Sequence, residues 1–258
     1  MSDVAGRARP RRAMDFRILP DAQAVAEAAA ELWVDEANRA LKSEGRFTIA
    51  LSGGSTPRFL YEALLSGDGA HLDWKRTHLF WGDERCVPPD HPESNYGMVH
   101  QALLTKIDIP SENVYRMRGE NPDPRAAAHD YDLLLRAFFG GYGPRQTFDL
   151  ILLGMGQDGH TASLFPDSPA LDDATHWATA SRAPAGVSPR DRITLTLPPI
   201  LAAARCVFLV TGEKKRGVLS AIRKDPAAAA ERYPAARVAL FRESTWLIDE
   251  QAAGTERS

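Results

Sequence analysis

The segment FDLILLG, residues 148–154, runs directly into MGQDGH, residues 155–160. Its nearly continuous apolar character is typical of a strand that is buried on both faces of a parallel sheet. Similar strand-like segments are FTIAL (47–51), THLFWG (77–82), WATA (177–180), RITLTL (192–197), CVFLVTG (206–212) and STWLID (244–249). They alternate with stretches of helical spacing, of which residues 21–44 are the clearest, and Ser94 and Asn95 are candidates to cap another helix. This alternation predicts an α/β fold, a three-layer αβα, Rossmann-like architecture with a twisted, mostly parallel sheet covered by helices on both faces.

Composition narrows the class of protein further. The 258 residues are 44% hydrophobic and 25% charged with a net charge of −3, which is typical of a globular protein and does not favour nucleic-acid binding. No apolar run reaches the length of a membrane span. Residues 1–14 are basic but lack the apolar core of a signal peptide, so we expect a disordered tail at 1–14, with Met14 as an alternative start, and a single domain at 15–258.

The two cysteines, Cys86 and Cys206, lie far apart in the sequence and form no CxxC or Cys/His cluster. They therefore predict neither a disulfide framework nor a metal site. We expect a cytoplasmic protein that needs no metal or other cofactor, binds neither nucleic acid nor membrane, and is a monomer.

The glycine-rich loop GMGQDG (154–159) matches the GxGxxG pattern of dinucleotide-binding proteins, but its surroundings do not. Pro166 and Pro169 interrupt the long helix that should follow, and no strand ends in an acidic residue about 20 positions on. The glycines instead allow a tight turn and a close backbone approach to a ligand. His160, with Asp158 beside it, is a candidate to activate water, although a histidine here also has the simpler interpretation of a packing residue.

The segment SGGSTP (52–57) follows a strand and precedes a helix that Pro57 can begin. Its small residues and the free N–H groups of the helix start predict an anion-binding loop formed by Gly53, Gly54, Ser55 and Thr56. The segment is neither a GxxxxGK[ST] loop nor a GxSxG nucleophile turn. An ordinary strand–helix turn is the alternative.

Charged residues follow or precede three of the predicted strands. Asp83, Glu84 and Arg85, in WGDER (81–85), are candidates for an acid, a base and an anion clamp, although such a tripeptide by itself is more typical of a solvated surface. Cys86 reads as a small buried residue. Basic residues flank the segments RITLTL (192–197) and CVFLVTG. Each of them alone is typical of a solvated surface, but together they indicate a phosphate pocket formed from Arg190, Arg192, Lys214 and Lys215.

With these segments in this order, the chain resembles the 6-phosphogluconolactonase family over residues 15–250. The similar segments are LSGGSTP, WGDER, LLGMGQDGHTASLFPDSP and RITLTLPPI followed by VFLVTGEKK. Glucosamine-6-phosphate deaminases share the family's fold, but their corresponding loop reads more like DGHIAFNEP. The residues TASLFP (161–166) after His160 favour the lactonase.

The resemblance implies an enzyme, a carboxylic ester hydrolase, that converts 6-phospho-D-glucono-1,5-lactone into 6-phosphogluconate in the oxidative pentose phosphate pathway. A lactone is an activated ester, so a histidine general base suffices without a metal or a covalent nucleophile. The expected catalytic residues are His160, Asp158, Arg85 and Asp83. The expected phosphate-binding residues are Gly53, Gly54, Ser55, Thr56, Arg192 and, from the GxxK spacing after Gly212, Lys215; Arg190 is the alternative to Arg192.

Two other functions fit the same residues. In an amino-sugar phosphate deaminase, Asp83 would be the proton-transfer base and His160 would assist ring opening. A sugar-phosphate sensor on the same scaffold would bind phosphogluconate without turnover.

Overall fold

The structure is a computed structural model that describes residues 14–140 and 147–255. These residues form ten strands: β1 (Met14–Leu19), β2 (Phe47–Leu51), β3 (Thr77–Trp81), β4 (Asp83–Arg85), β5 (Val114–Tyr115), β6 (Leu150–Gly154), β7 (Ala178–Arg182), β8 (Asp191–Leu195), β9 (Arg205–Val210) and β10 (Ser244–Asp249). They also form nine α-helices: α1 (Ala22–Glu44), α2 (Ser55–Ala63), α3 (Asn95–Ala102), α4 (Pro124–Gly140), α5 (Leu197–Ala202), α6 (Arg216–Lys224), α7 (Pro226–Arg232), α8 (Pro234–Phe241) and α9 (Glu250–Ala253).

Seven strands form the central sheet in the order β1-β10-β9-β6-β2-β3-β5, and every neighbouring pair is parallel. The segment FDLILLG supplies β6 near the middle of this sheet, although the strand begins at Leu150 rather than at Phe148. All five residues of β2 are buried. The predicted mostly parallel sheet with helices on both faces is confirmed.

Helix α1 shows how local sequence signals set the limits of an element. The Asp21 side chain accepts a hydrogen bond from the Ala24 N–H at the start of the helix, and Gly45, with φ of 75°, ends it. The helix packs against α2 and against the central strands. Its Trp33 lies 6.3 Å, between ring centroids, from both Phe47 of β2 and Tyr61 of α2, so this side of the sheet has an aromatic core.

A second sheet lies apart from the first, with the order β4-β8-β7 and antiparallel pairing. Sequence predicted β7 and β8 as strands but not that they pair in a separate sheet, and it placed Asp83–Arg85 in a loop. Three residues are too few to show strand periodicity, so β4 exists because β8 pairs with it.

The amino-terminal part of the chain and two late helices also differ from the predictions. Residues 1–13 of the predicted tail lie outside the described residues, whereas Met14 is already the first residue of β1, which pairs with β10. Helices α7 and α8 were not predicted; each begins at a proline, Pro226 and Pro234. Within the described ranges, no helix is both long and apolar enough to cross a membrane.

Parallel strands end at the same edge of a sheet, so the segments that follow β2, β3, β6 and β9 meet there. These are the loops that the sequence singled out. Their meeting point is the site described next.

Candidate active site

A cavity of about 420 Å³ opens at the carboxyl edge of the central sheet. The loops after β2, β3, β6 and β9 line it together with β8 of the small sheet. All ten residues that the sequence predicted for the site line this one cavity: Gly53, Gly54, Ser55, Thr56, Asp83, Arg85, Asp158, His160, Arg192 and Lys215. The structure therefore brings the predicted residues together; their individual roles stay predictions.

The loop after β6 is a tight turn that ends at His160. The Gly156 N–H donates to the His160 carbonyl at 2.8 Å, and the Gly159 N–H donates to the Gly156 carbonyl at 3.1 Å. A Cβ on Gly156 would lie 2.1 Å from His160 Nδ1 and 2.5 Å from Asp158 Oδ1, so only glycine fits there. After His160 the chain turns into a short bridge between Thr161 and Leu164 instead of a long helix. This path differs from that of a dinucleotide-binding loop.

His160 and Asp158 form a close pair, with Nδ1 of the imidazole 2.6 Å from Oδ1 of the carboxylate. Burial raises the pKa of Asp158, but the hydrogen bond and charge of His160 lower it more, so the net pKa lies below the usual value. An ionised carboxylate only accepts hydrogen bonds, so Nδ1 carries the proton and Nε2 is the basic nitrogen. The His160 ring also packs against Phe165, with centroids 4.7 Å apart.

The SGGSTP segment turns from β2 into α2, which begins at Ser55. Gly54 has a φ of 109°, a conformation that disfavours other residues, and among the described side chains none caps this helix start. The first-turn N–H groups are thus left for a ligand at the positive end of the helix dipole. The Thr56 hydroxyl lies 2.8 Å from that of Thr211, which joins the loop to the end of β9.

Arg192 lies on β8 directly opposite Arg85 of β4, and only 5% of it is exposed. Burial, followed by the positive charge of Arg85, lowers the pKa of Arg192. Nη1 of Arg192 and Nε of Arg85 are buried, and neither has a hydrogen-bond partner among the described residues. Like charges opposed across a strand pair repel one another, so an anionic ligand would both neutralise this pair and use its free donors.

The structure distinguishes the two pairs of neighbouring cations between which the sequence left a choice, Arg190 or Arg192 and Lys214 or Lys215. Arg190 lies outside the cavity, is exposed, and donates from Nε to the Ala183 carbonyl at 3.1 Å. Lys214 is exposed and does not line the cavity, whereas Lys215 is partly buried and does. Burial lowers the pKa of Lys215, and the nearby Asp158 charge opposes that shift. Arg192 and Lys215 are thus the cations that the cavity contains at these two positions.

Asp83 and Glu84 have different surroundings although they are adjacent. Asp83 lines the cavity and accepts hydrogen bonds from Ser163 Oγ at 2.6 Å and from Asn95 Nδ2 at 3.2 Å. Glu84 is absent from the cavity wall, and its carboxylate accepts the Asn95 and Tyr96 N–H groups at 2.7 Å each, at the start of α3. Burial raises the pKa of Glu84, which these hydrogen bonds oppose. Glu84 holds α3 in place.

Outside the SGGSTP segment, sequence reasoning missed three polar residues of the cavity wall, Asn95, Ser163 and Thr211. Asn95 was seen only as a helix-capping residue and Ser163 only as part of the segment TASLFP. Neither the capping position of Asn95 nor the segment that contains Ser163 indicates which loop these side chains contact. Cys86 lies outside the wall and is only partly buried, and this burial raises the pKa of its thiol to about 11. Within residues 14–140 and 147–255, no three His, Cys, Asp or Glu side chains are grouped as metal ligands would be.

Known proteins are similar to this chain in both sequence and fold. The family model of glucosamine-6-phosphate isomerases/6-phosphogluconolactonase matches residues 20–247. A 6-phosphogluconolactonase of Nostoc sp. is 41% identical, with 93% of this chain and 97% of that protein covered. The solved 6-phosphogluconolactonase of Trypanosoma brucei has a TM-score of 0.79 at 26% identity, covering 95% of this chain and all of that one. A monomeric glucosamine-6-phosphate deaminase, at 19% identity and a TM-score of 0.79 over 94% of this chain and all of its own, is similar in fold alone.

Proposed function

The chain belongs to the glucosamine-6-phosphate isomerase/6-phosphogluconolactonase family, and from this we infer that it hydrolyses 6-phospho-D-glucono-1,5-lactone to 6-phosphogluconate, the lactonase step of the oxidative pentose phosphate pathway. The observation that carries the catalytic part of this proposal is the His160–Asp158 pair, which shares one cavity with an anion-binding loop and a buried arginine. Hydrolysis of a phosphorylated ester needs both a base that activates water and groups that bind the phosphate.

We propose that His160 is the general base. Its Nε2 takes a proton from a water molecule as the water oxygen forms a bond to the lactone carbonyl carbon. When the tetrahedral intermediate collapses, the bond between that carbon and the ring oxygen breaks. The imidazolium returns its proton to the leaving ring oxygen, which regenerates the neutral base. The carboxylic acid formed at the former carbonyl carbon then releases its own proton to solvent and becomes the carboxylate of 6-phosphogluconate. Asp158 holds Nδ1 and stabilises the imidazolium charge.

Two groups are candidates to stabilise the oxyanion of the intermediate. They are the backbone N–H groups of the 154–159 loop and the guanidinium of Arg85, both at the cavity wall. One well-placed donor contributes about 3–4 kcal/mol to the transition state. Replacing Arg85 by glutamine separates the two possibilities, because kcat falls if Arg85 stabilises the oxyanion and stays unchanged if the backbone N–H groups do so alone. A rise in KM with unchanged kcat would instead indicate that Arg85 binds the phosphate together with Arg192.

The phosphate is proposed to bind at Gly53–Thr56, where α2 begins, with Arg192 and Lys215 as its cationic partners. Hydrolysis of glucono-δ-lactone, which lacks the phosphate, tests each cation. Arg192→Ala and Lys215→Ala should lower kcat/KM for the phosphorylated lactone much more than for the unphosphorylated one. A cation whose removal impairs both substrates equally does not bind the phosphate.

The deaminase alternative assigns proton transfer to Asp83. Both carboxylate oxygens of Asp83 already accept hydrogen bonds, from Ser163 and from Asn95, which disfavours a role as a free base. Release of ammonia from glucosamine 6-phosphate is the test. A sensor without turnover would bind 6-phosphogluconate but would not accelerate lactone hydrolysis.

The decisive experiment follows the decay of freshly made 6-phosphoglucono-δ-lactone, with spontaneous hydrolysis subtracted. We expect His160→Ala to lose turnover and to keep affinity for 6-phosphogluconate. His176→Ala is the matched control, because His176 also pairs with an aspartate, Asp173 at 3.0 Å, but outside the cavity. Wild-type turnover in His160→Ala would refute the general base, and an inactive wild-type protein would refute the lactonase.

We further propose that the enzyme acts in the cytoplasm as a monomer. The free thiols of Cys86 and Cys206 support the first part, since reducing compartments keep cysteines unpaired. Light scattering at several protein concentrations tests the second part, and a dimer mass throughout the series would contradict it.

A further inference from the structure

Asp83 joins parts of the cavity wall that are distant in sequence. It is the first residue of β4 and is 8% exposed. Its Oδ2 accepts a hydrogen bond from Ser163 Oγ at 2.6 Å. The Asn95 amide donates to the Asp83 carbonyl at 2.8 Å and to Oδ1 at 3.2 Å. We call Ser163, Asp83 and Asn95 the Asp83 bridge.

One end of the Asp83 bridge is attached to the loop that carries His160. Ser163 follows His160 by three residues and is almost fully buried. Its N–H donates to Thr194 Oγ1 at 3.1 Å, and its carbonyl accepts from Ser181 Oγ at 2.6 Å. Between His160 and Ser163, Ala162 has a φ of 48°, which is unfavourable for alanine. Such a conformation persists only where its surroundings hold it, so the contacts of Ser163 determine how the chain leaves His160.

The other end of the bridge contacts the anion-binding loop. Asn95 begins α3 and is 2% exposed. A Cβ built on Gly53 would lie 1.8 Å from Asn95 Oδ1, so the Asn95 side chain packs directly against the Gly53 backbone. The Asp83 bridge thus connects the His160 loop to the Gly53–Thr56 loop through one residue, whose carboxylate bonds to Ser163 and whose carboxylate and main-chain carbonyl both bond to Asn95.

We propose that the Asp83 bridge sets the distance between the general base and the phosphate site, and that Asp83 is a positioning residue that transfers no proton. This inference rests on the proposed lactonase function. An aspartate suits the role because its two oxygens accept from two donors on opposite sides without carrying a hydrogen themselves. A misplacement of the base by 1 Å relative to bound substrate costs about 10²-fold in rate.

Two substitutions of Asp83 distinguish positioning from proton transfer. In Asp83→Asn, the amide oxygen can accept from Asn95, and the amide NH₂ can donate to the Ser163 hydroxyl, which also accepts hydrogen bonds. We therefore expect Asp83→Asn to keep kcat within about tenfold of wild type, while Asp83→Ala loses about 10²-fold. An asparagine variant as inactive as the alanine variant would overturn the proposal, because a proton-transfer group is lost equally in both.

Ser163→Ala provides a second test that does not depend on the folding of an Asp83 variant. We expect kcat to fall by at least about tenfold, while the Kd for 6-phosphogluconate, measured by calorimetry, changes less than about threefold. The matched control is Thr48→Val, which removes a buried hydroxyl that donates to Asp149 at 2.8 Å near the opposite edge of the sheet. We expect Thr48→Val to lower the free energy of unfolding and to leave kcat unchanged.

The outcomes also distinguish a failure of the Asp83 bridge proposal from a failure of the proposed lactonase function. Ser163→Ala with wild-type kcat would overturn the bridge and leave the lactonase assignment intact. Absence of lactone hydrolysis by the wild-type protein would overturn the lactonase assignment and, with it, the bridge. A loss of kcat in Thr48→Val equal to that in Ser163→Ala would show that general destabilisation is the cause and would overturn the positioning role.

Discussion

Replacing Gly156 by alanine tests how closely the catalytic pair must be placed. A Cβ at Gly156 would lie 2.1 Å from Nδ1 and 2.3 Å from Cε1 of His160, whereas ordinary contacts begin at 3.4 Å. The imidazole must therefore retreat by more than 1 Å, and its hydrogen bond to Asp158 must lengthen or break. The backbone is not the obstacle, because Gly156 does not have the positive φ that Gly54 and Gly159 have.

A displacement of 1 Å costs about 10²-fold in rate, which is about 2.7 kcal/mol of activation free energy. We therefore expect Gly156→Ala to lower kcat about 100-fold in the lactone-decay assay. The affinity for 6-phosphogluconate should change little, because the Gly53–Thr56 loop lies on a different strand end. Gly140→Ala is the control, since a Cβ at the end of α4 meets nothing within 4 Å.

Wild-type kcat in Gly156→Ala would refute the reasoning, because it would mean that catalysis tolerates a displaced imidazole or does not use it. A loss of both kcat and 6-phosphogluconate binding would point to a collapsed cavity instead. Circular dichroism and the thermal midpoint, compared with those of Gly140→Ala, show whether the fold has changed.

Three further outcomes follow from the same pair and from the chemistry. In Asp158→Asn, the amide NH₂ can donate to His160 Nδ1, which leaves the imidazole proton on Nε2 and removes the base. We therefore expect kcat to fall by about 10²–10⁴-fold in the decay assay, while calorimetry shows that 6-phosphogluconate binding is retained. Unchanged turnover would contradict this expectation. The pKa of Asp158 is lower in the folded protein than the ordinary 3.8, so its stabilising effect is present above that value and is lost as the pH falls through the lowered pKa. Urea denaturation should show the unfolding free energies of wild type and Asp158→Asn converging below pH 3.8, and a gap that widens there would have the wrong sign. Because a histidine base can open an activated ester unaided, EDTA should leave the rate unchanged, and a rate that falls with EDTA and returns on adding a divalent cation would disprove this.

The predictable part of the fold rests on short-range patterns. The segment FTIAL coincides with β2 because both faces of this strand are buried, and that burial is written in a nearly continuous run of apolar residues. The site loops were predictable for a related reason. Carboxyl ends of parallel strands share an edge, so loops on four strands meet without any contact having to be known in advance.

The choice between Arg190 and Arg192 shows where such reasoning stops. Arg192 is the first residue of the strand predicted over 192–197, Arg190 stands two positions before it, and the sequence alone left the choice open. The structure separates them through pairing, since Arg192 lies in β8 opposite Arg85 and is buried, whereas Arg190 precedes the strand and is exposed. That pairing depends on β4, whose three residues carry no periodic signal of their own.

Local patterns therefore established the parallel sheet, its order of elements along the chain and the loops at its carboxyl edge. Within one segment, a continuous apolar run marks a strand buried on both faces, and a repeat of about 3.6 residues marks a helix. Tertiary structure alone decided the small antiparallel sheet, the burial of Arg192 and the hydrogen bond from Ser163 to Asp83. Ser163 and Asp83 are 80 positions apart in the sequence. Contacts over such distances depend on how whole elements pack, and no pattern within a short segment encodes them.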